Sequence, residues 1–438
     1  MNGAAAPRAR LPLPALAVVL GVAGLLRLAG GARDTAAGAA TPDGAAAGWP
    51  QWSGPARNGA ASATRVFGRG AIRLREVWRR SADAGVSALI VAGGRLFSLA
   101  AGGGSEYAFA LDADTGRTLW RVTLGPSEPS LRFGVVSTPA TDGRRLFALS
   151  TACKLLALDA ASGELAWQHD LRAEFKAGPP GSCWTSPLLA GDLLVVQVKS
   201  PERRVLAFNA ASGALTWSLP GSEGSAHSSP SLAQIAGVIQ AVLEDIQADG
   251  HGGLYGLRLA DGALLWSLPF ADPESYSFDI PLQLPGDRVA LVTWNGIRAV
   301  ALRGQGAGLA AVPLWTSRDI RAEIQPVNLH AVAYGGHVYG FGGEFLSCLD
   351  AATGRTVWKE KIYPGSLILV DGQLVVQSRG SGLVRVVAAT PAGYQERARA
   401  EVFTPGALSQ TPPSFAGRRL FLRNVDEIVA LDVGAPGP

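Results

Sequence analysis

The sequence is poor in cysteine, methionine, lysine and histidine. Its 438 residues include three Cys, one Met and five His, and only five of the 39 basic residues are lysines. Three cysteines are too few for the disulfide framework of a small secreted scaffold. Charged residues make up 17% of the chain, which leaves little material for long charged helices. What the chain has instead is 55 Gly and 28 Pro, a composition typical of many short strands joined by turns.

The chain also lacks the strong positive charge of a nucleic-acid-binding protein. The formal net charge is +4, but Arg8, Arg10 and Arg27 lie in the first 32 residues, which contain no Asp or Glu. The remainder of the chain therefore carries a formal charge of +1. A body so close to neutrality gives no support for binding nucleic acid.

The N-terminal segment has the order of an export signal. Two arginines precede an apolar run from Leu11 to Leu26, and small residues follow as far as Ala32. This order predicts a signal peptide over residues 1–32, with an uncleaved membrane anchor as the alternative. No Cys follows the run, which argues against a lipid anchor. Residues 33–48 are predicted to be a flexible linker. The body is thus expected to be periplasmic, secreted, or tethered to the membrane by this N-terminal segment alone.

A repeated pattern occupies most of the chain and is clearest in YAFALDADTGRTLW, residues 107–120. The alternating apolar residues predict a strand with one buried face. The Asp and the Gly predict a tight turn. The Trp is expected on the outgoing strand, where its large ring is buried against a neighbouring unit. Tryptophans that end such units are Trp78, Trp120, Trp167, Trp217, Trp266, Trp315 and Trp358.

The spacing of these tryptophans predicts the architecture. Successive tryptophans are 42 to 50 residues apart, and each unit contains four strand-like runs, which is typical of β-propeller blades. The unit ending at Trp315 lacks the Asp-containing turn, and the seventh unit is expected to carry Phe403 in place of the Trp. The last unit supplies three strands, and residues 71–80 form an isolated strand. We therefore predict an all-β, eight-bladed propeller of four-stranded antiparallel blades over residues 71–438, closed by an N-terminal strand that completes the C-terminal blade.

The pattern resembles the pyrroloquinoline-quinone (PQQ)-like propeller repeat family over roughly residues 72–433. The segment WPQWSGPARNGAAS is similar to one that commonly precedes such propellers, and residues 49–70 are predicted to be an ordered lead-in strap. The resemblance implies that the repeat Trp docks between adjacent blades. Members of the family include quinoprotein dehydrogenases and non-enzymatic propellers such as the outer-membrane assembly factor. The repeat is a folding signature, so it does not decide between them.

Residues that the quinoprotein enzymes require can be checked in the sequence. The resemblance to those enzymes implies a pair of adjacent cysteines against the quinone, and calcium ligands with a catalytic Asp on long insertions. This chain has no adjacent cysteines, no Cys-x-x-Cys-His haem motif and no such insertion between its blades. We therefore predict no catalytic residue, no resident metal and no cofactor. PQQ with calcium belongs only to the alternative, in which the chain is a redox enzyme.

The mouth of the central channel is the candidate ligand site. Alignment of the units places Trp184, His227, Phe278, Asn328 and Gln410 at equivalent positions before the first strand of a blade, with Asp279 and His330 nearby. Aromatic and polar side chains around such a mouth are typical of a ligand site. The alternative is that they fill the funnel and hydrogen-bond to one another.

The three cysteines and one acidic stretch are further candidates for a structural or binding role. Cys153 and Cys183 are expected on the same face of adjacent blades, so they form either a disulfide or two unpaired thiols, whereas Cys348 is expected in the core. The acidic stretch from Glu244 to His251 resembles a calcium loop but lacks a full ligand series, which favours a solvated hairpin.

These observations predict an exported, non-catalytic and monomeric propeller that binds a protein partner in the cell envelope through its loops. A quinone-dependent or other small-ligand-binding redox enzyme that uses the funnel mouth is the first alternative. Carbohydrate binding at the aromatic mouth is a weaker one. No nucleic acid is expected as a partner.

Overall fold

A computed structural model describes residues 48–61, 65–67, 70–127, 135–178, 182–222, 228–246, 252–270, 279–306, 308–321 and 331–434. All of them lie in the larger of two compact units, Ala37–Pro438. They form eight separate sheets of four antiparallel strands each. The predicted eight-bladed propeller is therefore confirmed. Within the described residues, no helix combines the length and apolar character needed to cross a membrane.

The first four blades are numbered from the innermost strand outwards. Their strands are β2 (Ile90–Ala92), β3 (Arg95–Gly102), β4 (Ser105–Asp112) and β5 (Thr118–Pro126) in blade 1; β6 (Ala140–Thr141), β7 (Arg145–Leu149), β8 (Lys154–Asp159) and β9 (Leu165–Asp170) in blade 2; β10 (Leu188–Ala190), β11 (Leu193–Gln197), β12 (Ser200–Asn209) and β13 (Leu215–Ser222) in blade 3; and β14 (Ser231–Ile235), β15 (Val238–Ile246), β16 (Gly252–Arg258) and β17 (Leu264–Phe270) in blade 4. A short helix, α1 (Leu171–Phe175), follows β9.

The second half of the ring repeats this order and ends with the shared blade. The strands are β18 (Leu282–Leu284), β19 (Arg288–Thr293), β20 (Gly296–Gln305) and β21 (Gly308–Ser317) in blade 5; β22 (Val332–Tyr334), β23 (His337–Gly342), β24 (Phe345–Asp350) and β25 (Thr356–Lys361) in blade 6; β26 (Gly365–Val370), β27 (Gln373–Ser378), β28 (Leu383–Ala388) and β29 (Glu396–Glu401) in blade 7; and β30 (Ser414–Ala416), β31 (Arg419–Arg423), β32 (Glu427–Gly434) and β1 (Arg73–Ser81) in blade 8.

The ring is closed by the pairing of β1 with β32, which confirms the predicted closure. The register runs antiparallel from Arg73 opposite Gly434 to Ser81 opposite Glu427. Arg423, at the end of β31, also joins blade 8 to the chain that enters blade 1. Its buried guanidinium donates to the carbonyls of Asp83, Ser87 and Leu99 at 2.8–3.1 Å. Burial lowers the pKa of Arg423 to about 10, so this cation has lost much of its hydration in joining the two blades.

The repeated turn between the third and fourth strands follows from its Asp and Gly. In blade 1 the Asp112 carboxylate accepts from the Thr115 amide at 2.9 Å and from its hydroxyl at 2.7 Å. These bonds hold the pKa of Asp112 below its usual range. Gly116 then adopts a φ of 71°, a conformation that favours glycine. Asn209 makes the same bonds to the backbone in blade 3, which shows that geometry rather than charge forms the turn.

The repeat tryptophans dock on the turn of the next blade. At Gly116 an added Cβ would lie 2.7 Å from the Trp78 ring, so only glycine permits this approach. The Trp78 indole nitrogen also donates to the Ala113 carbonyl at 3.0 Å. The other indoles that donate to a carbonyl of the following blade are Trp120, Trp167, Trp217, Trp315 and Trp358. Each such contact fixes one blade against its neighbour.

Two blade junctions depart from this arrangement. Blade 5 has no Asp-containing turn, and Trp266 of blade 4 donates instead to Gln240 of its own blade at 2.7 Å. In blade 7 the expectation that Phe403 replaces the Trp is wrong. The register places Ala398 opposite Val386, as Trp120 lies opposite Ala110, and Phe403 lies beyond the end of β29. Phe403 is buried in an apolar cluster of the core. Its apolar character is therefore explained by burial and does not show which position of the blade it occupies.

Residues 49–61, which we call the strap, cross the centre of the ring. Trp49 exchanges two backbone hydrogen bonds with Val91 of blade 1, at 2.9 and 2.8 Å. The Gln51 side chain bonds to the Leu189 backbone of blade 3. The Ala61 amide donates to the Leu369 carbonyl of blade 7 at 2.9 Å. Blades 3 and 7 are four positions apart in a ring of eight, so the strap spans the ring along a diameter.

Candidate functional site

The two faces of the propeller differ in the loops that they carry. Because the strands of a blade alternate in direction, the start of each innermost strand lies on the same face as the turn between the second and third strands. We call this the mouth face. The opposite face carries the repeat turns and the short turns after the innermost strands. Val66 donates to Asp371 in one of those short turns, which places this end of the lead-in segment on the face opposite the mouth.

The predicted mouth residues are only partly described. Trp184 is half-buried before β10, Asp279 is buried before β18, and Gln410 is buried before β30. The remaining four predicted residues, His227, Phe278, Asn328 and His330, lie outside the described residues. The ligand site at the mouth therefore stays a prediction.

Hydroxyl groups next to these positions form a hydrogen-bonded belt that the sequence analysis did not find. The belt runs from blade 8 to blade 5 through the bonds Ser414 Oγ to Leu89 O, Ala88 N to Thr138 Oγ1, Thr138 N to Ser186 Oγ, Ser186 N to Ser229 Oγ, and Ser228 Oγ to Asp279 O. The signal was present as triplets before the innermost strands, namely Ser-Thr-Pro at 137–139, Thr-Ser-Pro at 185–187 and Ser-Ser-Pro at 228–230. These bonds join the inner ends of neighbouring blades.

The strap places a cation on the axis beneath this belt. Arg57 is 1% exposed, and its guanidinium donates to the Pro187 carbonyl at 2.6 Å and to the Ser186 carbonyl at 3.2 Å. Burial lowers the pKa of Arg57 to about 9. Trp52 of the strap is buried in an apolar cluster with Ala88 and Ile280. The strap thus places two large buried side chains, Trp52 and Arg57, inside the ring.

The acidic stretch from Glu244 to His251 begins inside the second strand of blade 4, so its first residues are not part of a solvated hairpin. Glu244 and Asp245 lie in β15 and are buried, which corrects that expectation for these two residues, while Asp249 and His251 lie outside the described residues. Asp245 pairs with Arg204 of blade 3 at 2.5 Å, and the Arg204 guanidinium lies 4.9 Å from the Tyr255 ring centroid. This ion pair joins blades 3 and 4. Within the described ranges, no group of three or more His, Cys, Asp or Glu side chains could hold a metal ion.

The sequence does not decide whether Cys153 and Cys183 are bonded, and the structure shows that they are. Cys153, in the turn after β7, and Cys183, before β10, form a disulfide between blades 2 and 3 on the mouth face. Helix α1 lies beside it, since the Leu171 amide donates to the Cys153 carbonyl at 3.0 Å. Cys348 is buried in β24, and burial raises the pKa of its thiol to about 11.

The mouth face of blades 6, 7 and 8 presents three exposed large apolar side chains. They are Phe345 at the start of β24 and Tyr363 and Leu408 in the connections between blades, with exposed fractions of 38%, 53% and 41%. We call them the mouth-face apolar residues. Their loops are joined by the backbone bonds Ile362 N to Glu344 O, Gly406 N to Gly380 O, Ser409 N to Arg379 O and Val425 N to Leu408 O. The Lys361–Glu344 ion pair at 2.9 Å borders them. Apolar and aromatic side chains with a charged rim are typical of protein interfaces.

Comparisons with known proteins agree with this architecture. The profile of a family described as outer membrane protein assembly factor BamB matches residues 104–360. A relative with that name from Alkalilimnicola ehrlichii is 34% identical over 95 residues, which span 21% of this chain and 24% of that protein. The matched stretch thus covers about a quarter of the relative's length.

Two solved structures have the same fold. BamB from Moraxella catarrhalis superposes with a TM-score of 0.57 at 15% identity, over 84% of this chain and 99% of that one. A quinohemoprotein alcohol dehydrogenase from Pseudomonas putida HK5 superposes with a TM-score of 0.62 at 14% identity, over 90% and 82% of the two chains. Identities this low establish the shared fold and nothing about activity. The family profile, by contrast, matches more than half of the sequence and confirms the resemblance to the PQQ-like repeat. The chain therefore belongs to the family described as outer membrane protein assembly factor BamB.

Proposed function

We propose that this chain is an exported, non-catalytic scaffold of the bacterial cell envelope that binds a protein partner through its mouth face. The observation that carries the proposal is the set of mouth-face apolar residues, Phe345, Tyr363 and Leu408. A hydrogen-bonded backbone holds them in place, so little ordering is needed on binding. Membership of a family described as an outer membrane protein assembly factor supports a partner in that process.

Export is part of the proposal and rests on the N-terminal sequence together with the disulfide. Residues 1–32 have the order of a signal peptide or anchor, and the Cys153–Cys183 bond is of the kind that persists in oxidising compartments. The proposed localisation is therefore the periplasmic side of the envelope, with any membrane attachment made by the N-terminal segment.

A quinone cofactor on the axis does not fit the described residues. A planar cofactor needs open space. Beneath the belt, the strap crosses the ring, and its buried Arg57 side chain extends to the Ser186 carbonyl. The proposed function therefore involves no chemistry on PQQ. Addition of PQQ and calcium to the purified protein, followed by assays for quinone absorbance and dye-linked alcohol oxidation, is expected to give no activity.

Site-specific crosslinking tests the proposed partner surface. A photoreactive amino acid at Tyr363 is expected to capture one discrete envelope protein in cells. The matched control is Tyr334, an exposed tyrosine at the end of β22 on the opposite face, where no such product is expected. The same product at both positions, or at neither, would remove the mouth face as the binding surface. Dye-linked alcohol oxidation in the presence of PQQ would instead show that the chain is an enzyme and not a scaffold.

A further inference from the structure

The outer strands of blades 3, 4 and 5 contain no charged side chain. Strands β13, β17 and β21 read LTWSLPGS, LLWSLPF and GLAAVPLWTS. By contrast, β1 carries five charged residues, β29 four and β25 three. An outer strand has one unpaired edge, and charged side chains are a common means of preventing other strands from pairing with it. Three consecutive blades therefore form a sector of the rim, which we call the uncharged sector, without that protection.

Each of these uncharged strands also exposes a leucine, as β9 of blade 2 does at Leu165. Leu215 in β13, Leu264 in β17 and Leu314 in β21 are 42%, 54% and 37% exposed. Val312 of β21 is also exposed. Large apolar side chains grouped on one part of a surface mark an interaction site more often than single ones do.

A groove lies within the uncharged sector, between the outer strands of blades 4 and 5. Its volume is about 370 Å³, which is within the range of ligand pockets. Apolar residues that line it include Leu254, Leu268, Phe270, Pro313, Leu314 and Trp315. Arg298 is the one charged residue among those that line it, and its guanidinium lies 5.8 Å from the Phe270 ring centroid.

The groove lies at the junction where the repeat pattern fails. Blade 5 has a longer hairpin, β20–β21, in place of the Asp-containing turn, and Trp266 points into its own blade. The hairpin approaches blade 4 directly, since the Cβ position of Gly308 is 3.9 Å from the Leu265 carbonyl oxygen. The two outer strands thus meet directly, without the indole hydrogen bond between blades that other junctions have.

We propose that the groove binds an apolar side chain of an extended, uncharged polypeptide segment that pairs with the edge of β21. The unpaired edge offers backbone donors and acceptors at strand spacing, which a peptide can satisfy and a lipid or small apolar molecule cannot. Pro313 lacks an amide hydrogen, so the segment pairs with residues 308–312 of β21 and continues past Pro313 to the groove wall at Leu314. We expect the partner segment to be uncharged because the outer strands of this sector contain no charged side chain.

This inference goes beyond the proposed function because it uses a different surface and a different form of partner. The mouth-face apolar residues lie on blades 6 to 8, and the groove lies on the rim of blades 4 and 5. Variants on one surface therefore leave the other unchanged.

Binding of a defined peptide tests the proposal. The probe is a short peptide of alternating threonine and valine with a central benzoyl-phenylalanine, labelled with an uncharged fluorophore and capped at both ends so that it carries no charge. The intact wild-type chain is expected to bind it, and irradiation is expected to crosslink it to residues of the groove. Leu314→Glu is expected to weaken binding by about tenfold or more, because a carboxylate replaces an apolar wall.

The matched control is Leu165→Glu, at an exposed leucine of the outer strand of blade 2, outside the uncharged sector. It is expected to change binding by about twofold or less. Tyr363→Glu serves as the control for the mouth face and is expected to leave peptide binding unchanged. Thermal melting of each variant verifies the fold, and the crosslink map gives an answer even if Leu314→Glu does not fold.

Four results would overturn the proposal. They are no binding by the wild-type chain, equal loss with Leu165→Glu and Leu314→Glu, crosslinks outside the groove, and a dimer in sedimentation that Leu314→Glu dissociates. The last result would assign the sector to a second copy of the chain. Peptide binding that persists in a protein without a mouth-face partner would support this inference while the proposed function fails.

Discussion

The junction between blades 1 and 2 and the junction between blades 4 and 5 both contain a buried tryptophan, but the two indoles have different partners. Trp120 of blade 1 packs on Gly163 of blade 2 and donates to the Ala160 carbonyl at 3.2 Å. Trp266 of blade 4 donates to Gln240 of blade 4. The first indole makes its hydrogen bond across the junction, whereas the second packs in an apolar cluster with blade 5 but makes its hydrogen bond within blade 4.

The comparison shows that the docking contact depends on two blades at once. A tryptophan on one blade requires the glycine turn of the next, so loss of the turn in blade 5 alters the surface of blade 4 as well. The groove opens at the same junction, but at the end of the β20–β21 hairpin away from its turn, where Pro313, Leu314 and Trp315 line it. A change in one repeat is therefore accompanied by a different contact made by the repeat before it.

Replacement of the docking tryptophan should give the largest effect. Trp120→Ala is expected to lower the free energy of unfolding by about 3–5 kcal/mol, because it removes a large buried ring and leaves a cavity between two blades. Leu314→Ala, in the groove of the exceptional junction, is expected to cost less than about 1 kcal/mol because this side chain is partly exposed. Guanidinium titration of both variants measures the difference. Equal losses would show that the two junctions contribute alike.

Loss of the disulfide should have the next largest effect, at the junction of blades 2 and 3. The bond closes a sequence separation of 30 residues. The Cys153→Ala/Cys183→Ala double variant is therefore expected to lose about 2–4 kcal/mol, mainly through a less constrained unfolded state. Cys348→Ala is the control, since it removes a buried thiol without removing a crosslink. Thiol titration of the unreduced, denatured protein should find one free thiol, and a count of three would contradict the bond.

A glycine substitution separates steric contact from backbone conformation. Gly163 has a φ of 79°, and an added Cβ would lie 2.9 Å from the Trp120 ring. Gly163→Ala is expected to cost about 1–3 kcal/mol, from the backbone and from displacement of the indole. Gly306 has a φ of 58° in the hairpin of blade 5, with nothing within 4 Å of an added Cβ. Gly306→Ala should therefore show the backbone cost alone, and melting curves that fail to distinguish the two variants would refute the indole contact.

The smallest effect on stability is expected from removal of the negative charge of a turn Asp. The pKa of Asp350 is held below its usual value, chiefly by the Thr353 hydroxyl, which donates to the carboxylate. A carboxyl whose folded pKa is depressed adds stability above its unfolded pKa, about 3.9, and loses it as the pH falls through the folded value. Asp350→Asn should therefore lower the melting temperature slightly at pH 7 and have no effect in stronger acid. Asn209 shows that the turn itself persists. A difference that is independent of pH would contradict this account.

The architecture could be predicted because its signals are local and repeated. Alternating apolar residues, the turn Asp and Gly, and the spacing of the tryptophans each specify one blade, and the unpaired strand at residues 71–80 specifies the closure. Ala398 shows the limit of this reasoning, because the register of β28 and β29 decides which residue takes the tryptophan position.

The candidate surfaces were less predictable because they depend on contacts between distant segments. The strap was expected to be ordered, but nothing in WPQWSGPARNGAAS indicates that Arg57 reaches Ser186 through the centre of the ring. The missing turn in blade 5 was visible in the sequence. By contrast, the hydrogen bond from Trp266 to Gln240 and the groove between blades 4 and 5 depend on how the two blades pack.

The closure by β1 and β32 has a consequence for biogenesis. Arg79 bonds to Glu427, which follows it by 348 residues, so β1 has no partner strand until nearly all of the chain has been synthesised. During that interval its edge is open to other chains and to proteases. Any molecule that stops short of residue 427 therefore keeps β1 without its partner strand, and its ring stays open.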